Sequence, residues 1–265
     1  MLKDIDIFIT AFKPFKEYVT DERYKIVTVK DFNYEGELEW YKDNVGDNIS
    51  DMNDFFNELT VFYWVWKNYP MKEYVGMCSY RRYFNFLDDI DNIEEDIKKY
   101  DIIVPQITNL NGLTNRKQYE NCHNLDDLKL IIEIIKKLHP DYIDDVNIFM
   151  NETYLYANNM FIMKRDEYIK YCNFLFEILN EYLKIMNFET IEDIQKYVQS
   201  NKELFENKKH DITKKLDYQV RIGGFLSERI FSIYVKHNFK NLLKIPINFT
   251  ERKVVKNIYN KLKKR

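Results

Sequence analysis

Two adjacent arginines, Arg81 and Arg82, stand between Tyr80 and Tyr83 at the end of a short apolar run that begins at Tyr74. The run has the β-branched and aromatic composition of a buried strand. Arginine is rarely buried unless an anion meets it. A strand that delivers a Tyr-Arg-Arg-Tyr cluster to the edge of a sheet therefore suggests an anion site. Phosphate is the leading ligand, because the guanidinium fork matches phosphate oxygens. The competing reading is ion pairing with nearby carboxylates: Asp88, Asp89 or Asp91.

Other residues carry weaker chemical signals. Of the four histidines, His123, His139, His210 and His237, none has metal-ligand spacing. Only His123, beside a long polar stretch and followed by Asp126, is attractive as a site residue. Asn158 and Asn159 interrupt an apolar run, and paired amides in a buried strand must find partners, so they mark a bulge or a ligand-facing turn. Arg221, Glu228 and Arg229 fall on one face of a helix. Asp89 and Asp91 could hold a divalent ion bridging phosphates, or could form the capping region of the helix from Ile93. There is no Gly-x-Gly-x-x-Gly, P-loop, Gly-x-Ser-x-Gly or His-Glu-x-x-His pattern.

The elements that must position these residues alternate. Strands are expected at 4–10, 25–29, 74–78, 100–105, 154–163 and 242–247. Phe55, Leu59, Phe62, Tyr63 and Trp66 recur at helical spacing, so one amphipathic helix is expected over 51–68 with Ser50 as its N-cap. The Gly46-Asp47-Asn48 stretch before it suits either an anion held on free amides or an ordinary capped start. Residues 106–121 read as a long loop. Helices are expected from Asn124 to Leu138, from Asp141 to Met150, from Asp166 to Met186 and from Asp217 to Val235. The last contains Gly223-Gly224, unfavourable in a helix by about 1 kcal/mol each, which suggests a close approach of another backbone or a ligand. Short apolar strands alternating with helices indicate an α/β sheet covered on both faces.

Composition narrows the class. The 265 residues include 21 Tyr and 19 Phe but only 6 Gly and 5 Pro, which argues for long regular elements rather than a turn-rich β protein. A net charge of −3 gives no electrostatic case for nucleic-acid binding. Three widely spaced cysteines, Cys78, Cys122 and Cys172, read as reduced thiols in a cytoplasmic protein. No signal-peptide layout or membrane-spanning run is seen. The basic stretch 251–265 is expected as a tail, able to rest as an amphipathic helix on an anionic membrane surface. Residues 1–250 are expected to form one domain.

Several blocks in order carry a resemblance. They are Gly46 to Ser50; Asn53; Glu58 to Thr60 with Tyr63 to Asn68; Val75 to Phe84; Tyr100 to Pro105; His123 with Asp126-Asp127-Leu128; Asn159 to Met163; and Arg221 to Arg229. Together they resemble a bacterial family of uncharacterised-domain proteins from capsular and exopolysaccharide gene clusters, regarded as glycosyltransferases. The resemblance spans nearly the whole chain. It implies a single GT-A-like, Rossmann-type α/β domain with a mostly parallel central sheet, binding a nucleotide-sugar. Family members commonly have histidine before Tyr-Arg-Arg-Tyr, and this chain has Ser79. In GT-A enzymes the comparable strand ends in Asp-x-Asp, which holds a metal against the diphosphate; here it ends in Arg81 and Arg82.

The expected function is transfer of a sugar from a nucleotide-sugar, UDP-linked, to a capsular or surface-polysaccharide acceptor, either a saccharide or a lipid-linked one. Arg81 and Arg82 would neutralise the leaving diphosphate, with Tyr80 beside them. No cofactor is firmly implied, and Mg²⁺ or Mn²⁺ would sit on Asp89 and Asp91. Asp47, Asn48 and Asn53 would contact nucleotide or sugar hydroxyls, and Asn158 and Asn159 the donor or acceptor sugar. Arg221 and Arg229 would complete the phosphate site, unless they pair with Glu228. Glu228, Asp126 and His123 are the candidates for general base. The alternative function is a non-catalytic carbohydrate- or nucleotide-binding subunit of a polysaccharide assembly complex, for which abundant surface tyrosines would be suited.

Overall fold

The computed structural model describes residues 4–86 and 92–250. Asp88, Asp89, Asp91 and the basic tail 251–265 lie outside the described residues. The chain opens with β1 (Ile5–Ala11), every residue of it buried, then β2 (Tyr24–Thr28) and the short β3 (Trp40–Lys42). Two helices follow, α1 (Asn53–Phe56) and α2 (Leu59–Asn68), before β4 (Tyr74–Ser79) and β5 (Arg82–Phe84). Next come α3 (Asn92–Lys99), β6 (Ile102–Pro105), β7 (Thr108–Asn109), α4 (Asn115–Cys122), α5 (Leu125–Leu138) and α6 (Ile143–Asn151). After β8 (Tyr154–Leu155) and β9 (Phe161–Lys164) the chain enters the long α7 (Arg165–Met186). It ends with α8 (Ile191–Ser200), α9 (Lys202–Glu206), α10 (Leu216–Gln219), α11 (Ile222–Asn238), β10 (Leu242–Ile245) and β11 (Ile247–Phe249).

Nine strands form one sheet, with main order β10-β6-β9-β4-β1-β2-β3 and with β5 and β11 attached beside β4. β1 pairs in parallel with β2 and β4, β2 with β3, and β6 with β10, whereas β9 runs antiparallel between β4 and β6. The sheet is thus mostly parallel and helix-covered, as an α/β reading requires. The antiparallel β9 has a consequence for function. Its first residue, Phe161, pairs with Met77 near the carboxyl end of β4. The residues that precede β9, Asn158 and Asn159, therefore arrive where β1, β2 and β4 end. Ligands of open α/β sheets gather at those ends.

Four expectations need correction. The single helix over 51–68 is two helices, because Asn57 adopts a left-handed φ of 53°. Its carbonyl accepts from Asn53 Nδ2 at 2.9 Å and from Thr60 Oγ1 at 3.1 Å, so side chains replace the helical ladder across the break. Ser50 is not the cap; Asn48 Oδ1 accepts from the Ser50 amide and hydroxyl instead. The loop 106–121 contains β7 and α4, the latter capped by Thr114 Oγ1 accepting from the Lys117 amide. The helix from 217 is broken at Arg221, so Gly223 and Gly224 lie in the first turn of α11 rather than inside a continuous helix. Tyrosine is also a core residue here: Tyr83, Tyr119, Tyr168, Tyr171 and Tyr182 are fully buried, whereas Tyr18 is exposed.

The two glycines permit the close approach expected of them. A Cβ on Gly223 would lie 2.6 Å from Phe55 Cε1 and 3.0 Å from the Phe55 carbonyl oxygen, and one on Gly224 would lie 2.4 Å from Asn57 Nδ2. The Phe55 ring is itself held between Phe56 and Tyr182, with centroids at 4.8 and 6.1 Å. Gly223→Ala should therefore destabilise the protein by about 1–3 kcal/mol through overpacking, despite a helix-propensity gain of about 1 kcal/mol. Urea denaturation measures this directly, and a variant as stable as the wild type would contradict the close contact.

Candidate functional site

A cleft of about 910 Å³ opens at the carboxyl ends of β1, β2 and β4. Phe12 and Lys30, just past β1 and β2, line it, and so do Ser79 to Arg82 at the end of β4. The opposite walls come from Asn53, Asn57 and Glu58, from Gln118 and His123 around the end of α4, from Ala157 to Asn159, and from Arg221, Glu228 and Arg229.

The Ser79–Arg82 pairing makes Tyr80 and Arg81 the turn of a β-hairpin rather than the end of a strand. The hairpin is pinned from both sides. The Tyr80 amide donates to the Thr10 carbonyl at 3.1 Å, and the Thr250 amide donates to the Arg81 carbonyl at 3.1 Å. Tyr80 is buried, with the Arg81 guanidinium 5.1 Å from its ring centroid. Arg82 is half-buried, and burial followed by the neighbouring Arg81 charge lowers its pKa. A half-buried guanidinium beside a second one carries an electrostatic cost, which an anion relieves.

Charge pairing within the cleft is incomplete. Lys30 pairs with Asp54, and Arg229 Nη1 lies 3.2 Å from Glu228 Oε2. Arg81, Arg82 and Arg221 have no carboxylate at ion-pair distance among the described residues. Four lining residues also carry buried polar atoms without a partner: Ser79 Oγ, Arg82 Nε, Asn159 Oδ1 and Arg229 Nε. Unpartnered buried polar atoms are rare in native proteins, and a cluster of them marks a place where a ligand completes the bonding.

The candidate bases separate. Glu228 lies in the cleft, but its Oε1 accepts from the Asn158 amide at 2.8 Å and its Oε2 faces Arg229. It thereby holds Asn158 and Asn159, which sit at φ 73° and 48°, in a turn that few residues adopt. His123 is buried, stacked on Phe225 at 3.9 Å, and its Nδ1 donates to Gln219 Oε1 at 3.0 Å. Burial lowers its pKa to about 3, so at neutral pH it is an uncharged, feeble base. Asp126 does not reach the cleft. It is paired with Lys129 at 2.8 Å and lines a separate groove with Lys117 and Lys208.

Asp47 and Asn48 are likewise brought elsewhere: Asp47 Oδ1 accepts from Tyr63 OH at 3.0 Å, and its amide donates to Asn68 Oδ1 at 3.0 Å, clamping the loop to the far end of α2. Asn53 does line the cleft, although its amide is committed to Asn57 and Thr60. Arg229 is a strut, bonded to the Phe225 carbonyl and to Gln118. Arg221 stands 5.5 Å from the Tyr218 ring centroid. The residue that sequence reasoning missed is Glu58. It sits at the break between α1 and α2, partly buried, with Oε1 accepting from Asn159 Nδ2 at 2.7 Å. Desolvation raises its pKa, against the lowering effect of the Asn159 bond.

Among the described residues no group of three or more His, Cys, Asp or Glu side chains is gathered as a metal site. None of their helices is long and apolar enough to cross a membrane. All three cysteines are free and buried.

The His123 shift has a sign. The unfolded imidazole protonates near its usual value of about 6.5, whereas the folded one stays neutral until about pH 3. Stability from this group is therefore full above pH 6.5 and falls with acidification, by about 2 kcal/mol between pH 7 and pH 5. Asp127, buried and accepting from Tyr182 OH and Tyr197 OH, acts oppositely, because burial raises its pKa to about 6. The difference between wild type and His123→Gln isolates the histidine: urea midpoints at pH 7 and pH 5 should show the wild type losing about 2 kcal/mol more than the variant. Equal losses would contradict a buried neutral imidazole.

Comparison with known proteins supplies a fold likeness and a family. Among solved structures, the WbbM bifunctional glycosyltransferase in its apo form superposes with a TM-score of 0.70 at 24% identity. The match covers 93% of this chain but only 45% of that one, so the chain spans less than half the length of its structural relative. Among curated proteins no match is found. The family shared by residues 6–201 carries the description domain of unknown function, DUF4422, and by a match of that extent the chain belongs to it.

Proposed function

We propose that the protein is a glycosyltransferase that moves a sugar from a UDP-linked donor to a capsular or surface-polysaccharide acceptor. One observation carries the reading: Arg81, Arg82 and Arg221, none with a carboxylate at ion-pair distance among the described residues, come to a single cleft at the carboxyl ends of parallel strands. A nucleoside diphosphate is the leaving group whose charge such a cleft suits. Fixed cations near a developing phosphate charge stabilise a transition state by several kcal/mol. The likeness to a glycosyltransferase of known structure supports the same reading at the level of fold. About 910 Å³ is room for a donor with part of an acceptor.

In this reading Arg81 and Arg82 take the diphosphate, with Arg221 across the cleft. Asn158 and Asn159 meet sugar hydroxyls, Asn159 through its unpartnered Oδ1. Asp89 and Asp91 are the pair that would hold Mg²⁺ or Mn²⁺ if a divalent ion assists. A non-catalytic binding subunit is the second reading, favoured by the engagement of both Glu228 oxygens with the Asn158 amide and Arg229, which leaves neither free to face an acceptor hydroxyl.

Turnover separates the two. With UDP-hexoses and saccharide acceptors, the wild type should release UDP in EDTA. Arg82→Ala should lower kcat by about 10²–10³-fold, the loss expected on removing one group that stabilises transition-state charge. Donor binding without UDP release supports the binding subunit. Strict dependence on Mn²⁺ or Mg²⁺ would overturn the arginine role and transfer it to Asp89 and Asp91.

A further inference from the structure

We propose that Glu58 is the proton acceptor of this cleft, the carboxylate that takes the proton from the acceptor hydroxyl as that hydroxyl attacks the anomeric carbon. The proposal rests on the glycosyl-transfer reading and supplies the base that reading lacks.

Glu58 is the cleft carboxylate whose bonding leaves it free to act. Asp54 is paired with Lys30, and Glu228 with Arg229 and the Asn158 amide. Glu58 has one oxygen fixed by a neutral amide, Asn159 Nδ2, and no cation at ion-pair distance among the described residues. The amide is itself positioned, since Asn159 Nδ2 also donates to Ser227 Oγ at 2.9 Å and that hydroxyl donates to the Gly224 carbonyl at 2.8 Å. Glu58 is therefore oriented from α11 through a two-link chain, and the first turn of α11 can approach because residues 223 and 224 are glycines.

Arg82 and Glu228 both act on Glu58 at longer range and in opposite senses. The charge favouring ionisation is thus the guanidinium assigned to the diphosphate. Burial raises the carboxyl pKa, which brings a glutamate closer to the working pH of a general base.

In the step, the acceptor oxygen forms a bond to the anomeric carbon while the bond from that carbon to the diphosphate oxygen breaks. The electron pair leaves with the diphosphate, against Arg81 and Arg82, and the acceptor proton passes to Glu58. Atoms and charge balance without a further reactant. A single displacement of this kind inverts the anomeric configuration.

The test uses the full chain with a panel of UDP-hexoses and nitrophenyl glycoside acceptors. Glu58→Gln keeps an oxygen for Asn159 and should bind UDP as the wild type does. It should transfer about 10²–10⁴-fold more slowly, the range typical of a lost general base. Glu58→Asp, a second and milder variant, should keep the acid limb of the wild-type pH–rate profile at reduced rate. Glu58→Gln transferring within about tenfold of the wild type, or products of retained configuration, would overturn the Glu58 assignment and leave the glycosyl-transfer reading standing. A wild type that neither binds nor consumes any UDP-hexose would overturn that reading, and the assignment with it.

Discussion

The cleft depends on a contact between two helices that could not form with ordinary side chains. The first turn of α11 lies against the end of α1 so closely that Cβ atoms at residues 223 and 224 would overlap Phe55 and Asn57. That approach sets Ser227 within reach of Asn159 and Asn159 within reach of Glu58. It also places Glu228 where it can hold the Asn158 amide. Packing density in the core thus fixes polar geometry in the cleft, because closely packed interiors have little freedom to relax.

Sheet topology does the rest. Parallel β1, β2 and β4 end on one side, and the antiparallel β9 starts there, so four chain segments enter the cleft from one edge. The β4–β5 hairpin then carries Arg81 and Arg82 to the rim of the cleft, Arg81 exposed and Arg82 half-buried, and β11 pairs with β5 to brace it. The cost of holding cations together is met elsewhere in the structure, by extensive aromatic and aliphatic burial along α5, α7 and α11.

Much of this was legible in the residues. The Tyr74 strand, its two arginines, the paired asparagines and the diglycine all announced themselves by being the wrong residue type for their surroundings, and the structure places all of them at or beside the cleft. Glu58 did not, because helical periodicity runs from Phe55 to Trp66 without a gap. The left-handed φ at Asn57 that breaks the helix leaves no trace in hydrophobic spacing. Asp126 misled because it sits one residue before the buried Asp127, on a turn of α5 that faces outward. Asp47 and Asn48 misled because loop asparagines and aspartates bond their own backbone as readily as a ligand. Separating a ligand contact from a local turn needs the third dimension.

Glycosyl transfer in this cleft requires the diphosphate to lie against the hairpin arginines. The most direct measurement is a crystal structure of the protein grown with UDP in the absence of divalent metal. Both phosphates should lie within hydrogen-bonding distance of Arg81 and Arg82, including the Arg82 Nε that has no protein partner among the described residues. UDP bound with its phosphates away from that hairpin, for instance in the groove beside Lys117 and Lys208, would contradict it.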